Sequence, residues 1–195
     1  MRLFILVLTS GILSACVGLN KTVPNMAIYD FGLSNVSESN QLITSRIPLE
    51  EITSAEGLNH NKIRYRLNYQ NPARVFFYSE SRWASTPSEL LTGKLSALAN
   101  AASQPASCSL KLKIEAFDHV FQSGDISEGI VQLNVSLIEK ISKRTIASEL
   151  ITESTAATSP NAQGGTTALQ TASKNALAKA INWGNTVAAN NGVCK

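Results

Sequence analysis

Residues 108–116, Cys-Ser-Leu-Lys-Leu-Lys-Ile-Glu-Ala, decide the fold. Cys108, Leu110, Leu112, Ile114 and Ala116 alternate with Ser109, Lys111, Lys113 and Glu115. That is the period of a β-strand with one buried and one wet face. Gln122-Ser123-Gly124-Asp125 reads as a loop, after which Val131, Leu133, Val135 and Leu137 alternate with Gln132, Asn134 and Ser136. The two segments predict an antiparallel hairpin sharing one buried face. Arg144–Thr152 predicts a third strand after a turn near Ser142-Lys143. Ser154–Gly165 is rich in Ser, Thr, Ala, Pro and Gly and reads as a loop. From about Thr166 the apolar residues change to helical spacing: Leu169, Ala172, Ala176, Leu177, Ala180 and Ile181 form one stripe, with an end expected at Trp183-Gly184.

Upstream the pattern is shorter-ranged. Met26–Leu33 predicts a first strand, Ser34–Asn40 a loop, and Leu42–Glu51 is ambiguous between strand and irregular backbone. Ile63, Tyr65, Leu67 and Tyr69 alternate with Lys62, Arg64, Arg66 and Asn68, predicting a strand with a basic wet face. Asn71-Pro72 marks a turn, and Arg74–Tyr78 predicts a short aromatic strand. Thr86-Pro87-Ser88-Glu89 then places Thr at a helix N-cap, Pro at the first helical position and Glu three residues after the cap. Leu91, Leu95, Leu98 and Ala102 continue one apolar face, and Pro105 limits the helix. The order predicts an α/β domain with a mixed, mostly antiparallel sheet of about five strands and helices packed on it.

Composition narrows the function. The chain has 195 residues, 44% hydrophobic and 16% charged, enough apolar material for one buried core. Lys and Arg number 17 against 14 Asp and Glu, a formal charge of +3 without clustering. No basic stripe with interleaved aromatics is present, so nucleic acid is not an expected partner. No apolar run reaches the ~18 residues needed to span a bilayer.

The N-terminus points to a compartment. Met1-Arg2 precedes the apolar run Leu3–Ile12, and Leu13-Ser14-Ala15-Cys16 follows. The layout is that of a signal peptide, and its end looks like a bacterial lipobox. Small Ser14 and Ala15 suit a peptidase that reads extended backbone, and the Cys16 thiol is the nucleophile that takes a diacylglyceryl group. The alternative is an ordinary secretory signal containing a cysteine. Residues 1–15 are therefore expected to leave as signal peptide, Cys16 to carry the lipid, residues 17–25 to act as a tether, and 26–195 to form a single domain. At about 0.8 kcal/mol per buried methylene, one acyl chain binds marginally and two or three hold firmly. Val17 after the cysteine, where Asp would favour inner-membrane retention, leans towards the outer membrane, facing the periplasm.

Cys108 and Cys194 then remain as an even pair in an oxidising compartment, which suggests a disulfide; two free thiols are the alternative. No cluster of Cys and His has ligand spacing, and no metal or cofactor is expected. His60 and His119 are the candidate bases, but Asp118 and His119 are neighbours on a strand and point to opposite faces. There is no G-x-S-x-G elbow and no phosphate loop, and Glu50-Glu51 is read as loop-borne solvated charge, so an enzyme is not expected. Lys62, Arg64 and Arg66 form a cationic face that could meet lipid headgroups or an acidic partner. The plainer reading is the solvated face of a near-edge strand, where positive charge discourages strand addition.

Several blocks together resemble the ABC-type transport auxiliary lipoproteins, the PqiC-like group. They are the lipobox, Ile28-Tyr29-Asp30-Phe31, Asn61-Lys62-Ile63-Arg64-Tyr65 and Val75-Phe76-Phe77-Tyr78. Ser81-Arg82-Trp83-Ala84 follows and leads into Pro87 and Leu90-Leu91. Tyr78, Ser81, Arg82, Trp83, Ala84 and Pro87 fit the family's passage from a strand into its first long helix. Leu110–Phe121 with its hairpin partner and the late Ala-rich helix closing on Trp183 also fit. The first strand departs from the family in lacking the usual Tyr-x-Leu ending. The resemblance implies a three-layer α/β sandwich and no catalytic residues. It implies a periplasm-facing lipoprotein that docks an MCE-domain protein at the outer membrane. Through that protein it would work with an ABC permease and ATPase that move phospholipids or other hydrophobic molecules between the membranes. A stand-alone structural or lipid-binding envelope lipoprotein is the alternative, and homo-oligomerisation stays open.

Overall fold

The computed structural model describes residues 25–32, 43–100 and 106–194, the side chains at 43–44 and 95–100 excepted. The signal peptide, Cys16, residues 17–24 of the tether, the Ser34–Asn40 loop, Ala102 and Pro105 lie outside the described residues.

The fold is mixed α/β, built on an open, mostly antiparallel seven-stranded sheet rather than one of about five strands. Its frame is the predicted hairpin, longer at both ends: β7 (Cys108–Phe121) pairs antiparallel with β8 (Ser127–Glu139), and β8 with β9 (Thr145–Ala156). On the other side of β7 two short strands follow one another. β3 (Leu49–Ser54) runs parallel to the first half of β7, and β4 (Lys62–Leu67) runs parallel to its last residues. A 3-10 turn at Glu56–Leu58 steps the chain between them. Outside β4 lies β5 (Phe76–Trp83), antiparallel to it, and β1 (Ala27–Tyr29) closes that edge parallel to β5. The ambiguous stretch 42–51 becomes β2 (Ile43–Thr44) and the start of β3. β2 pairs with β6 (Ala99–Asn100) in a separate two-stranded ladder. Glu50 and Glu51 are therefore strand residues, not loop residues.

Two helices are described. α1 (Pro87–Leu98) begins at the predicted box: the Thr86 backbone N–H donates to Glu89 Oε2 at 3.0 Å. That bond is the main reason the Glu89 carboxyl is held below its usual range. α2 spans Ala162–Ala189, starting earlier and ending later than the sequence suggests. Asn161 caps it, its side chain accepting from the Gly164 backbone N–H at 3.0 Å. The helix passes through Gly184 because Leu110 lies against it; a β-carbon there would stand 2.6 Å from Leu110 Cδ1.

One core joins these elements. Leu110, Leu112, Ile114, Val131, Leu133, Val135 and Leu137 from the strands meet Leu169, Ala172, Ala176, Leu177 and Ala180 of α2. Leu90 and Leu91 of α1 belong to the same cluster. Ala-rich α2 can lie close to the sheet, and leaves it packed against β8 and β9. The opposite face of the hairpin carries Lys113, Gln132, Asn134 and Ser136, none of them buried. A disulfide joins Cys108 at the head of β7 to Cys194 in the 3-10 turn after α2, with Cα atoms 5.1 Å apart.

Candidate functional site: a basic and apolar corner at the sheet edge

The strand corner β1–β5–β4 collects the residues singled out from the sequence and redistributes them. Cα partners across a sheet share a face. Ile28 pairs with Arg82, and Arg82 with Lys62, so these three side chains stand in one row on the outer face. Their neighbours Tyr29, Trp83 and Ile63 point the other way. Trp83 is buried, edge-on to Phe31 at 5.9 Å and packed on Phe117 at 5.5 Å. The Trp that marks the strand-to-helix passage is thus a core side chain at the corner.

Between Lys62 and Arg64 the pairing of β4 with β5 slips: Lys62 faces Arg82, whereas Arg64 faces Phe77. β5 therefore bows outwards over Tyr78–Ser81, as a bulge does. An open groove of about 350 Å³ lies there, lined by Met26, Lys62, Phe77, Ser79 and Arg82 among others. Lys62 Nζ stands 5.2 Å above the Phe77 ring, a cation–π contact, and the His60 ring meets the same ring edge-on at 5.3 Å.

The three strand cations do not act together. Arg64 Nε lies 2.7 Å from Asp118 Oδ1, and Arg66 Nε 3.0 Å from Oδ2. Asp118 is buried and both guanidiniums are largely covered. Arg64 also donates to the Gly57 carbonyl and Arg66 to the Pro72 carbonyl. The expected cationic face is thus divided: Arg64 and Arg66 share Asp118, and Lys62 forms no ion pair among the described residues. Buried charge needs such pairing, since an unpaired carboxylate there would cost several kcal/mol. Sequence reading missed Arg82 as the partner of Lys62, because the bulge breaks the alternation that would have paired them.

On the inner face His119 is fully buried beneath the first turn of α2, its Nδ1 2.8 Å from the Tyr78 hydroxyl. Burial lowers the imidazole pKa to about 4 and raises that of the Tyr78 phenol. Both groups are neutral at neutral pH. Asp118 and His119 thus serve opposite faces, as their adjacency on a strand predicts. Glu50 accepts from Ser109 Oγ at 2.6 Å and lies 3.5 Å from Lys111 Nζ; the hydroxyl bond is the larger cause of its lowered pKa. Among the described residues no group of three His, Cys, Asp or Glu side chains is placed to hold a metal ion, and no helix is long and apolar enough to cross a membrane.

No family model matches the sequence, and no curated protein matches it. Solved structures do share the fold. XCC0632 from Xanthomonas campestris, a DUF330 protein, is 15% identical, with a TM-score of 0.65 over 85% of this chain and 100% of that one. An uncharacterized protein is 13% identical, with a TM-score of 0.54 over 84% of this chain and 99% of that one. A presumed lipoprotein from Caulobacter crescentus, 14% identical, reaches a TM-score of only 0.34 over 53% of this chain and 81% of its own, and adds nothing to the comparison. At these identities the likeness is one of fold alone.

Proposed function

We propose that this chain is a non-enzymatic envelope lipoprotein, anchored through acylated Cys16 in the outer membrane with its domain in the periplasm. In that place it docks the MCE-domain partner of an ABC transporter that moves phospholipids or other hydrophobic molecules between the two membranes. Leu13-Ser14-Ala15-Cys16 followed by a short tether is the observation that carries the reading. The resemblance at Ser81-Arg82-Trp83-Ala84 and Pro87 supplies the transporter partner, and Val17 the choice of membrane. The geometry supports binding rather than chemistry: His119 is sealed under α2, Arg64 and Arg66 both hold Asp118, and the groove at the corner is open. A domain held at the membrane meets its partner at raised effective concentration, so a modest interface suffices.

Cys16→Ala should move the protein from the membrane to the soluble fraction, and mass spectrometry of the native chain should find an acylated Cys16 at its N-terminus. Deleting the protein should weaken the outer-membrane barrier as much as deleting the MCE partner, with no further loss when both are deleted. Co-purification of the two should survive mild detergent. Additive defects without co-purification would leave the stand-alone lipoprotein in its place. An unmodified N-terminus with unchanged fractionation would remove the anchor itself.

A further inference from the structure

We infer that the outer-face corner formed by Met26, Ile28, Phe77, Lys62 and Arg82 rests on an anionic lipid surface, the cations on phosphate headgroups and the apolar side chains at the level of the glycerol backbone. Three observations converge on it.

The first is composition by position. Met26, Ile28 and Phe77 are 42%, 58% and 44% exposed, three large apolar side chains at one corner of the molecule. Ile28, Arg82 and Lys62 form a single row across three strands, and the Phe77 ring lies under Lys62. Exposed apolar groups interleaved with long cationic stems are what a membrane interface takes up, since the stems lie along the apolar surface while their charges reach the headgroups.

The second is charge. The cations elsewhere on this face are engaged: Arg64 and Arg66 by Asp118, Lys111 by Glu50 and Glu51, Lys113 by Glu115. Lys62 and Arg82 make no ion pair among the described residues, and Lys62 is held by an aromatic face instead. Glu80 is the acidic residue of the bulge and is exposed, forming no ion pair with either. Two uncompensated cations therefore face outwards where the apolar side chains do, a surface complementary to negative charge.

The third is reach. Met26 is the tenth residue after Cys16. At most about 3.5 Å per residue, the tether holds this corner within roughly 35 Å of the anchoring lipid. Because β1 begins at Ala27, the tether enters the domain at this corner and not at the far end of the sheet. This third point rests on the anchor proposed above; the other two do not.

The test separates the two. The chain from Val17 onwards holds every described residue and lacks Cys16, so its binding to vesicles is independent of lipidation. Sedimentation with vesicles of phosphatidylcholine containing about one third phosphatidylglycerol should retain it, and vesicles of phosphatidylcholine alone should not. At about 1 kcal/mol per basic residue near an anionic surface, Lys62→Ala with Arg82→Ala should weaken binding about 30-fold. Ile28→Ser with Phe77→Ser should weaken it as well, whereas Lys111→Ala with Lys113→Ala should stay within twofold of the native chain. Circular dichroism confirms that each variant is folded. In the natively processed chain on lipid nanodiscs, residues 26–31 and 76–82 should exchange amide hydrogens more slowly on the anionic bilayer than on the neutral one. Equal binding to both vesicle types, or binding indifferent to Lys62 and Arg82, overturns the inference. Loss of vesicle binding in the presence of millimolar glycerol phosphate makes the corner a site for a free phosphate. Self-association abolished by the same pair of substitutions makes it a contact between copies. Either result also overturns the inference. A chain found unacylated in the cell but still bound to anionic vesicles would sink the anchor and leave this surface standing.

Discussion

His119 sits in an environment far from its ordinary one. Its ring is fully buried, bonded to the Tyr78 hydroxyl, and so close to α2 that a β-carbon on Gly165 would stand 2.3 Å from Nδ1. The folded-state pKa of about 4 lies below the ordinary 6.5. Between those values the unfolded chain takes up a proton that the folded one refuses, so stability falls as pH drops through that window. The loss is complete only below pH 4 and totals on the order of 3 kcal/mol. Denaturant melts of the native chain at pH 7, 5.5 and 4.5 should show this decline, and His119→Gln should flatten it. An unchanged slope in the variant would assign the decline to other groups. That Asp118 and His119 face apart follows from their adjacency in sequence. What each would meet does not, because Tyr78 and Arg64 arrive from 41 and 54 residues away. The same distance hides the Arg64–Asp118–Arg66 cluster, in which two cations legible as a wet face share one buried carboxylate and keep a net charge of +1.

Elements were legible where one physical rule acts alone. Alternation over 108–116 and 131–137 locates β7 and β8, and the Thr86-Pro87-Ser88-Glu89 box locates the start of α1. Reading failed where tertiary contact overrides local preference. Gly164, Gly165 and Gly184 argue against helix by propensity, yet α2 contains all three because Ser159 of the preceding loop, His119 and Leu110, in that order, leave no room for a β-carbon there. β5 runs on through Ser79-Glu80-Ser81-Arg82, where the bulge suppresses alternation. Gly129 shows the same close approach from the strand side: a β-carbon would lie 2.5 Å from the Leu169 backbone nitrogen, an atom that cannot yield. Gly129→Ala should therefore push α2 off β8 and cost about 1–3 kcal/mol, as overpacking does. In a domain of this size each kcal/mol lowers Tm by about 2–4 °C, which calorimetry resolves. The Cys108–Cys194 bond acts between elements, closing the chain across 86 residues. The chain-entropy model gives about 4–5 kcal/mol for a loop of that length. Reduction of the native protein should lower the denaturation midpoint accordingly, and Cys194→Ala should reproduce the loss without a reductant.

At the scale of the molecule the sheet divides labour by face. The inner face is closed by the core and by α2, while on the outer face Lys62 and Arg82 form no ion pair among the described residues, at the corner where the chain enters the sheet through β1. If the tether sets how often that corner meets the membrane, its length becomes a measurable variable. On the anchor proposed above, Val17–Asn25 is a short tether, so the corner would sample a small volume near the anchoring lipid. Effective concentration falls roughly as the −3/2 power of linker length, so extending a tether of about 10 residues to about 30 with a Gly/Ser insert after Val17 should lower it about fivefold. Fractionation should not change, because the proposed acyl chains on Cys16 suffice to hold the protein to the membrane. Amide protection of residues 26–31 and 76–82 on anionic nanodiscs should fall, and Lys62→Ala with Arg82→Ala should remove what remains. Protection of β7 and β8 should stay as it was, since those strands owe it to the core. Equal protection of the corner at both tether lengths would mean that the domain finds the surface without help from its anchor. Loss of protection throughout the sheet would mean that the insert had disturbed the fold and not the docking.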